Sequence, residues 1–308
     1  MDKSRSGRDR LPANVQGALW ILGSAVAFTA MTTLVKFLGE DYPASLQTFY
    51  RQASGVIVLA PWILRDPVKA FKTTRPGILL FRASAGTLAM ILSFIAYQKL
   101  PLADANALSF TRALWLVPLA GLLLGEKIGP GRIVAVVVGF AGVLLMLRSL
   151  SQPGHAAIGW PQLAALASAA LFAFTIAGMK VVMRDNTALV VLTWSSVLGL
   201  VAAIPPALFA WRWPTWPDLG LLAAMGAFAV VTQACYTKGV QLGDAAAIAP
   251  IDYTRLVFAA ITGFVFFKEV PGMLTIAGAA IVVAASLFIT WREAVLYRSP
   301  REDPTVEA

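Results

Sequence analysis

The sequence contains a single cysteine and a single histidine among 308 residues, and only 13% of its residues are charged. One cysteine excludes an intramolecular disulfide and a cluster of thiolate ligands. Cys235 lies inside an apolar run, where it is expected to pack as a small apolar side chain. Soluble domains carry about 25% charged residues. The shortage of charge therefore argues against a water-soluble fold.

Enzyme signatures are also missing. The chain has no GxxxxGK phosphate-binding loop, no HExxH motif and no grouping of Cys and His that could hold a metal. His155 lies in a predicted loop, and an intramembrane hydrolase or lipid-modifying enzyme would lack an evident base and metal. We therefore expect no catalytic residue, no metal and no cofactor.

Long apolar runs are what the sequence has in abundance, with 58% hydrophobic residues and a mean hydropathy of +0.73. A helix needs roughly 20 apolar residues to cross the hydrocarbon core. Runs bounded by charge, proline and glycine predict ten such helices, at 14–36, 44–64, 77–98, 103–124, 131–148, 159–181, 187–210, 217–238, 244–267 and 272–291. The predicted fold is all-α and integral to the membrane.

The net charge of +9 comes mostly from basic residues in short connections, which form no continuous stripe of the kind that binds nucleic acid. With the N-terminus taken as cytoplasmic, five lie in connections on the far side: Lys36, Lys99, Arg148, Arg212 and Lys268. Four lie within spans: Arg51, Arg82, Arg112 and Arg255. The remaining sixteen of the 25 lie on the near side. This asymmetry predicts a multi-pass protein of the inner (plasma) membrane with both termini cytoplasmic.

The second half of the chain repeats the first. The matched residues are Lys36 with Lys180, Tyr97-Gln-Lys99 with Tyr236-Thr-Lys238, Asp104 with Asp244, Thr111-Arg112 with Thr254-Arg255, and Glu126 with Glu269. Chance similarity between apolar helices is the alternative, but charged matches in the same order favour duplication. Five spans per half is an odd number, so the halves should be inverted, as in many secondary transporters. The predicted organisation is a tail (1–13), two five-helix repeats (14–148 and 157–292) and a second tail (293–308).

Three short segments carry a family resemblance. Leu122-Leu-Leu-Gly-Glu126 and Phe266-Phe-Lys-Glu269, which close the fourth helix of each half, resemble the paired signatures of the EamA-type drug/metabolite transporter superfamily. Ala249-Pro-Ile-Asp-Tyr-Thr-Arg-Leu256 is similar to the branch with S-adenosylmethionine and riboflavin uptake carriers. The resemblance covers about residues 14–292. It implies a central cavity surrounded by the first four helices of each half, with the fifth at the periphery, and it leaves the solute and the direction open.

Ionisable residues within spans are costly and are candidates for function. Arg112 and Arg255 should both lie near the midplane, on helices related by the repeat. Either they hold a carboxylate or phosphate of a substrate, or they tie helices together through carbonyls or Asp252. Asp252 precedes Arg255 by three residues, so the two can pair on one helix face. The other interpretation of Asp252 is a titrating carboxylate suited to proton coupling.

Two interpretations are open for most of the other polar candidates. Arg51 either reaches the cavity or snorkels outward, and Arg82 is expected to snorkel. Six uncharged side chains either line the cavity or simply pack: Tyr97, Asn106, Trp115, Gln233, Tyr236 and Tyr253.

Prolines and acidic residues mark expected helix breaks, gates and caps. Pro250 should kink or break its helix just before Asp252, and Pro118 should do the same near Leu114. Freed carbonyls at membrane depth are tolerated where they line a cavity. Two glutamates end equivalent helices at opposite faces and suggest structural or gating contacts: Glu126 and Glu269. Two aspartates open helices and are expected to cap them: Asp104 and Asp244.

These observations predict a secondary transporter that moves a small organic metabolite across the inner membrane by alternating access. The solute would be amino-acid-like, nucleoside-like or a vitamin, with a carboxylate or phosphate. The expected partners are this solute, the lipid bilayer and either a coupling proton or an exchanged solute; a homodimer is an option, and nucleic acid is not expected. The alternatives are an intramembrane enzyme acting on a lipid-linked substrate, and a channel or accessory subunit.

Overall fold

A computed structural model of the chain describes residues 12–73, 76–124, 129–149, 159–182, 186–242 and 250–298. Every regular element within these ranges is helical. The helices are α1 (Ala13–Leu38), α2 (Ala44–Arg65), α3 (Pro67–Phe71), α4 (Pro76–Lys99), α5 (Leu102–Ser109), α6 (Arg112–Leu124), α7 (Pro130–Ser149), α8 (Trp160–Val182), α9 (Ala188–Phe209), α10 (Trp216–Leu242), α11 (Thr254–Phe267) and α12 (Met273–Arg298).

Eight helices in the described part of the chain are long and apolar enough to cross a membrane. They are α1, α4, α7, α8, α9, α10, α12 and the stretch Pro250–Phe267 that contains α11. Two predicted spans do not qualify. α2 carries Gln47, Arg51 and Gln52 in its first half, and the stretch formed by α5 and α6 is interrupted. The protein is therefore a multi-pass helical membrane protein, and the count of ten spans stays a prediction.

Helices of the first half pack mainly against helices of the second. α1 packs with α10 and α4 with α8, while α2 packs with α9, α5 with α11, and α7 with α12. When each helix is replaced by its predicted repeat partner, the packing of α1 with α10 becomes that of α8 with α4. Each of the other three packings is unchanged. This set of five packings between the halves is therefore the same seen from either half.

α7 and α12 approach each other closely through glycines. A Cβ atom added at Gly142 of α7 would lie 2.8 Å from the carbonyl oxygen of Gly278 in α12, so neither position has room for a side chain. Beyond this pairing α7 packs with α6, and α12 packs with α5 and α6. α7 and α12 therefore pack mainly with each other.

One end of the bundle, here called the Lys36 face, contains Lys36, Asp41, Lys99, Arg212 and Glu269. The helices α1, α4, α9 and α11 end there, and α2, α5, α10 and α12 begin there. Two exposed ion pairs lie at this face, Lys99 with Glu40 at 2.7 Å and Arg212 with Asp41 at 3.1 Å. The chain enters α1 and leaves α12 at the opposite face, so both described ends lie on the same side of the bundle.

The hydroxyl of Tyr42 forms a further contact at the Lys36 face, where it donates a hydrogen bond to Oδ2 of Asp218 at 2.7 Å. This bond to the carboxylate, together with burial, raises the pKa of the Tyr42 phenol above its ordinary value. The tyrosine is therefore a stable hydrogen-bond donor between the α1–α2 connection and the start of α10.

Arg82 lies inside the bundle and does not snorkel. Its Nε donates to the carbonyl oxygen of Thr175 at 3.1 Å, and its Nη1 donates to Oγ of Ser195 at 2.7 Å. The expectation that Arg82 reaches outward is wrong, because its guanidinium binds partners on α8 and α9 within the protein. Arg82 ties α4 to both of those helices.

Candidate functional site

Two helix interruptions build the candidate site. Between α5 and α6, the N–H of Phe110 donates to the Ala107 carbonyl at 3.2 Å, and the N–H of Thr111 donates to the Leu108 carbonyl at 3.1 Å. Bonds to the third preceding residue are typical of a 3₁₀ turn inserted in a helix. The corresponding interruption in the second half lies at Tyr253, immediately before α11.

The same threonine hydrogen bond accompanies each interruption. Oγ1 of Thr111 donates to the carbonyl of Leu108, and Oγ1 of Thr254 donates to the carbonyl of Ile251, both at 2.7 Å. Threonine hydroxyls that bond back to a preceding carbonyl compete with the helical ladder and bend helices. The repeated Thr-Arg pair therefore marks where each helix is interrupted.

The prolines do not set these positions as expected. Pro118 lies inside α6, which continues to Leu124. Of the predicted kink or break near Leu114, the break is therefore absent, and the kink stays a prediction. The helix instead restarts at Arg112, and the ring and the lost N–H of Pro118 are accommodated within it. On the side of Pro250, residues 243–249 lie outside the described ranges. The interruption that is described follows Asp252 and does not precede it.

The two interruptions touch each other. The rings of Phe110 and Tyr253 lie 4.5 Å apart between centroids, at a tilt of 39°. Because Arg112 follows Phe110 by two residues and Arg255 follows Tyr253 by two, this contact brings the two arginines to the same region. Two arginines that the repeat relates in sequence therefore lie in the same region of the structure.

Arg112, Asp252 and Arg255, here called the arginine cluster, share one carboxylate between two guanidiniums. Nη2 of Arg112 lies 3.4 Å from Oδ2 of Asp252, and Nη2 of Arg255 forms an ion pair with Oδ1 of the same aspartate. The side chains are 28%, 13% and 7% exposed for Arg112, Asp252 and Arg255. The cluster thus has one positive charge in excess, and the Nε of Arg255 is buried with no hydrogen-bond partner in the described residues.

Aromatic rings surround the arginine cluster. The Cζ of Arg255 lies 4.6 Å from the centroid of the Phe28 ring and 6.0 Å from that of Tyr236, and the Cζ of Arg112 lies 5.9 Å from that of Phe110. Cation–π contacts of this kind stabilise a guanidinium that is removed from water. The ring of Tyr97 packs edge-on against Phe28 at 6.1 Å, and its hydroxyl is buried.

Sequence reasoning missed Phe28 and Phe110. Phe110 could have been found, because it takes the place of Tyr253 when Thr111-Arg112 is aligned with Thr254-Arg255. Phe28 carries no comparable signal, since it is one of 17 phenylalanines in an apolar sequence. Only the packing of α1 against α10 and α11 brings it to Arg255.

The structure places three other candidates in different surroundings. The amide nitrogen of Asn106 donates to the Leu102 carbonyl at 2.9 Å, and the side chain is buried within α5. Trp115 packs edge-on against Phe140 of α7 at 5.1 Å, and its indole N–H is buried without a described partner. Gln233 is exposed on α10, and no described contact joins it to the arginine cluster.

Arg51 lies on α2 apart from the arginine cluster. Its Nη1 donates to Oε1 of the neighbouring Gln52 at 3.2 Å, and its Nε is buried with no partner in the described part of the chain. α2 packs against both α9 and α10. No carboxylate is among the described contacts of Arg51, so none of them supplies a counter-charge to its guanidinium.

The acidic residues near helix ends differ in what they contact. α5 begins at Leu102 with Pro101 as its N-cap residue, so Asp104 lies within the first turn and is buried, and the capping prediction is wrong. Glu269 forms an ion pair with Lys36 and accepts the backbone N–H of Leu102 at 2.9 Å. Two further predicted positions lie outside the described residues: Glu126 and Asp244. No group of His, Cys, Asp and Glu in the described residues has the arrangement to hold a metal ion.

The EamA-like transporter family matches this chain twice, at residues 15–148 and at residues 159–291. The chain is 30% identical over 285 residues to an S-adenosylmethionine uptake transporter of Rickettsia prowazekii (strain Madrid E), covering 92% of this chain and 96% of that protein. It is 28% identical over 294 residues to a riboflavin transporter of Rhizobium johnstonii, covering 93% and 94% of the two chains.

A pseudopaline exporter of Pseudomonas aeruginosa (strain UCBPP-PA14) is 27% identical over 282 residues, with 89% of this chain and 95% of that one covered. A solved crystal structure has a TM-score of 0.61 at 18% identity, covering 93% of this chain and all of the other, which is a likeness of fold alone.

Proposed function

We propose that this chain, which belongs to the EamA-like transporter family, is a secondary transporter for a small organic metabolite that carries a carboxylate or a phosphate. Relatives named as transporters of small metabolites support the general activity. One of them is named for uptake and another for export, so the direction does not follow from the family.

The observation that carries the proposal is the arginine cluster. Two guanidiniums share the single carboxylate of Asp252, and the more deeply buried one, on Arg255, has an unpartnered Nε. Excess buried charge is costly unless a counter-charge accompanies it. An anionic group of the solute would supply that counter-charge, and the planar donor fork of arginine suits carboxylate and phosphate oxygens.

The surrounding rings extend this recognition to the rest of the solute. Phe28, Tyr97 and Tyr236 lie around Arg255, while Phe110 and Tyr253 lie beside Arg112. Such rings would pack against an apolar or planar part of the molecule. Asp252 would contact a cationic group if the solute is zwitterionic. An amphiphilic metabolite with one anionic end is the solute class that fits.

We further propose that the chain has ten spans in two inverted repeats and works by alternating access. Three observations support this: the family matches the chain in two segments, the five packings between the halves are the same from either half, and the threonine hydrogen bonds recur at both interruptions. Inverted repeats of this kind place the solute near the midplane and rock around it. The repeats would occupy 14–148 and 157–292, with tails at 1–13 and 293–308.

The orientation proposed from the charge count places both termini in the cytoplasm. The Lys36 face is then the non-cytoplasmic face, because α1 begins and α12 ends at the opposite one. Either a coupling proton or an exchanged solute would drive accumulation.

A labelled-uptake panel in proteoliposomes tests the function. The panel should contain amino acids, nucleotides, S-adenosylmethionine and riboflavin, with an esterified or amidated analogue of each carboxylate as its matched control. We expect saturable uptake of at least one anionic solute and much weaker uptake of its neutralised analogue. Chemical conversion of a solute would favour an enzyme, and flux that never saturates would favour a channel; either result would overturn the proposal.

A further inference from the structure

Glu269 joins several helix ends at the Lys36 face. It follows α11 directly, and its Oε1 forms an ion pair with Lys36 near the end of α1, while its Oε2 accepts the N–H of Leu102 at the start of α5. Nζ of Lys36 also donates to the Leu100 carbonyl at 2.6 Å, just after α4. The side chains of Lys36 and Glu269 are only 13% and 18% exposed. Two side chains thus hold together the ends of four helices.

The backbone around Lys268 aims Glu269 at these partners. Lys268 has φ of 58°, the left-handed conformation that normally favours glycine, and its N–H donates to the Phe264 carbonyl at 3.1 Å. The N–H of Glu269 donates to the Gly263 carbonyl at 3.0 Å. Because the chain reverses here, the carboxylate returns toward α11, and a Cβ added at Gly263 would lie 3.0 Å from its Oε2.

The two halves do not have the same internal packing. In the first half, α4 packs against both α1 and α2. In the second half, the equivalent helix α10 makes no comparable packing with α8 or α9 among the described residues. Halves that match in sequence but differ in internal packing are expected of a carrier that is closed at one face. The polar contacts between α1, α4, α5 and α11 identify the Lys36 face as the closed one.

We propose that the ion pair between Lys36 and Glu269 is a latch that holds the Lys36 face closed, and that its release separates α1 from α11 to admit solute to the arginine cluster. This rests on the proposed transport function. The pair can form only while the two helix ends are together, so it favours the closed state over the open one. Removing either charge should shift the population toward the open state.

The repeat supplies a contrasting residue. Glu126 takes the position of Glu269 in the first half, so it would serve the opposite face. Glu126→Gln should therefore leave the Lys36 face closed. A residue on the same face provides a matched control, because Glu40 forms an exposed ion pair with Lys99. Glu40→Gln removes the same type of charge without touching the latch.

The latch can be tested by measuring a distance across the Lys36 face with electron spin resonance. Spin labels would replace the exposed Phe37 of α1 and Phe266 of α11 in a Cys235→Ser background. We expect Glu269→Gln and Lys36→Gln each to raise the ratio of long to short distances by about tenfold, within the range of conformational coupling in proteins. The double variant should shift the ratio no further than either single variant, because both remove one interaction.

Three results would overturn the latch. One is an unchanged distance in both single variants while the labelled proteins stay folded, which would leave the ion pair as a tie without a role in opening. The second is an equal shift of the distances in Glu40→Gln, and the third is an equal shift in Glu126→Gln. Either would mean that loss of any glutamate loosens the packing of the helices in general. The distances need no solute, so a failure of the uptake panel would reject the transport proposal separately.

Discussion

Replacing Arg112 and Arg255 together with glutamine should lower the saturable uptake of the transported anion by about 100-fold or more. Each guanidinium can give charge-assisted hydrogen bonds worth roughly 1.5–3 kcal/mol, and a factor of about 100 corresponds to roughly 2.7 kcal/mol. Glutamine keeps a polar side chain but removes the charge and the donor fork. Initial rates in proteoliposomes over a range of solute concentrations measure the loss.

Arg82→Gln is the matched control for this substitution. Arg82 is an arginine within the bundle, but its partners are Thr175 and Ser195 and it does not belong to the arginine cluster. The control should reduce thermal stability while the concentration for half-maximal uptake stays unchanged. The double variant should also stop distinguishing the anionic solute from its esterified analogue. If the double variant kept normal uptake and normal discrimination, the arginines would serve only to join helices.

Replacing Asp252 with asparagine should have the second largest effect, on stability. The substitution leaves two mostly buried guanidiniums without their shared carboxylate. Breaking a buried ion pair by removing one partner costs about 3–5 kcal/mol, because the remaining charge is uncompensated. Thermal unfolding of the purified protein in detergent should therefore begin at a clearly lower temperature. Adding Arg255→Gln to Asp252→Asn should recover part of the loss, since one unpaired charge is removed.

Asp41→Asn is the control, because Asp41 pairs with Arg212 at the exposed Lys36 face. Exposed ion pairs are worth about 0–1 kcal/mol, so this variant should unfold near the wild-type temperature. Equal losses in the two variants, or no recovery in the double variant, would show that the cluster does not depend on charge balance.

The parts of the fold that follow from composition and periodicity could be predicted from the sequence. The first predicted span, 14–36, corresponds to α1 at Ala13–Leu38, and the apolar runs that follow are helical in the described residues. The pairing of Asp252 with Arg255 was also expected from their spacing of three residues, and it forms although the helix is interrupted at Tyr253 between them. Long periodic segments and local spacings are the features that a sequence records most directly.

Contacts between distant helices could not be predicted in the same way. The position of Arg82 near the cytoplasmic end of its span predicts snorkelling, whereas its hydrogen-bond partners come from α8 and α9. Asp104 opens a predicted helix and is therefore expected to cap it, yet the helix begins two residues earlier. Pro118 predicts a kink or break near Leu114, but the described interruption lies before it, at Phe110 and Thr111. In each case a tertiary or backbone contact decided the outcome.

Counter-transport in proteoliposomes is the most direct measurement of whether this protein is a carrier with one central site. Vesicles would be preloaded with unlabelled solute identified by the uptake panel, and the entry of labelled solute would be followed against empty vesicles. We predict saturable entry that preloading accelerates, with both features lost in the Arg112→Gln/Arg255→Gln variant. Entry that rises linearly with concentration and is indifferent to preloading would contradict a carrier that exposes its site to one face at a time.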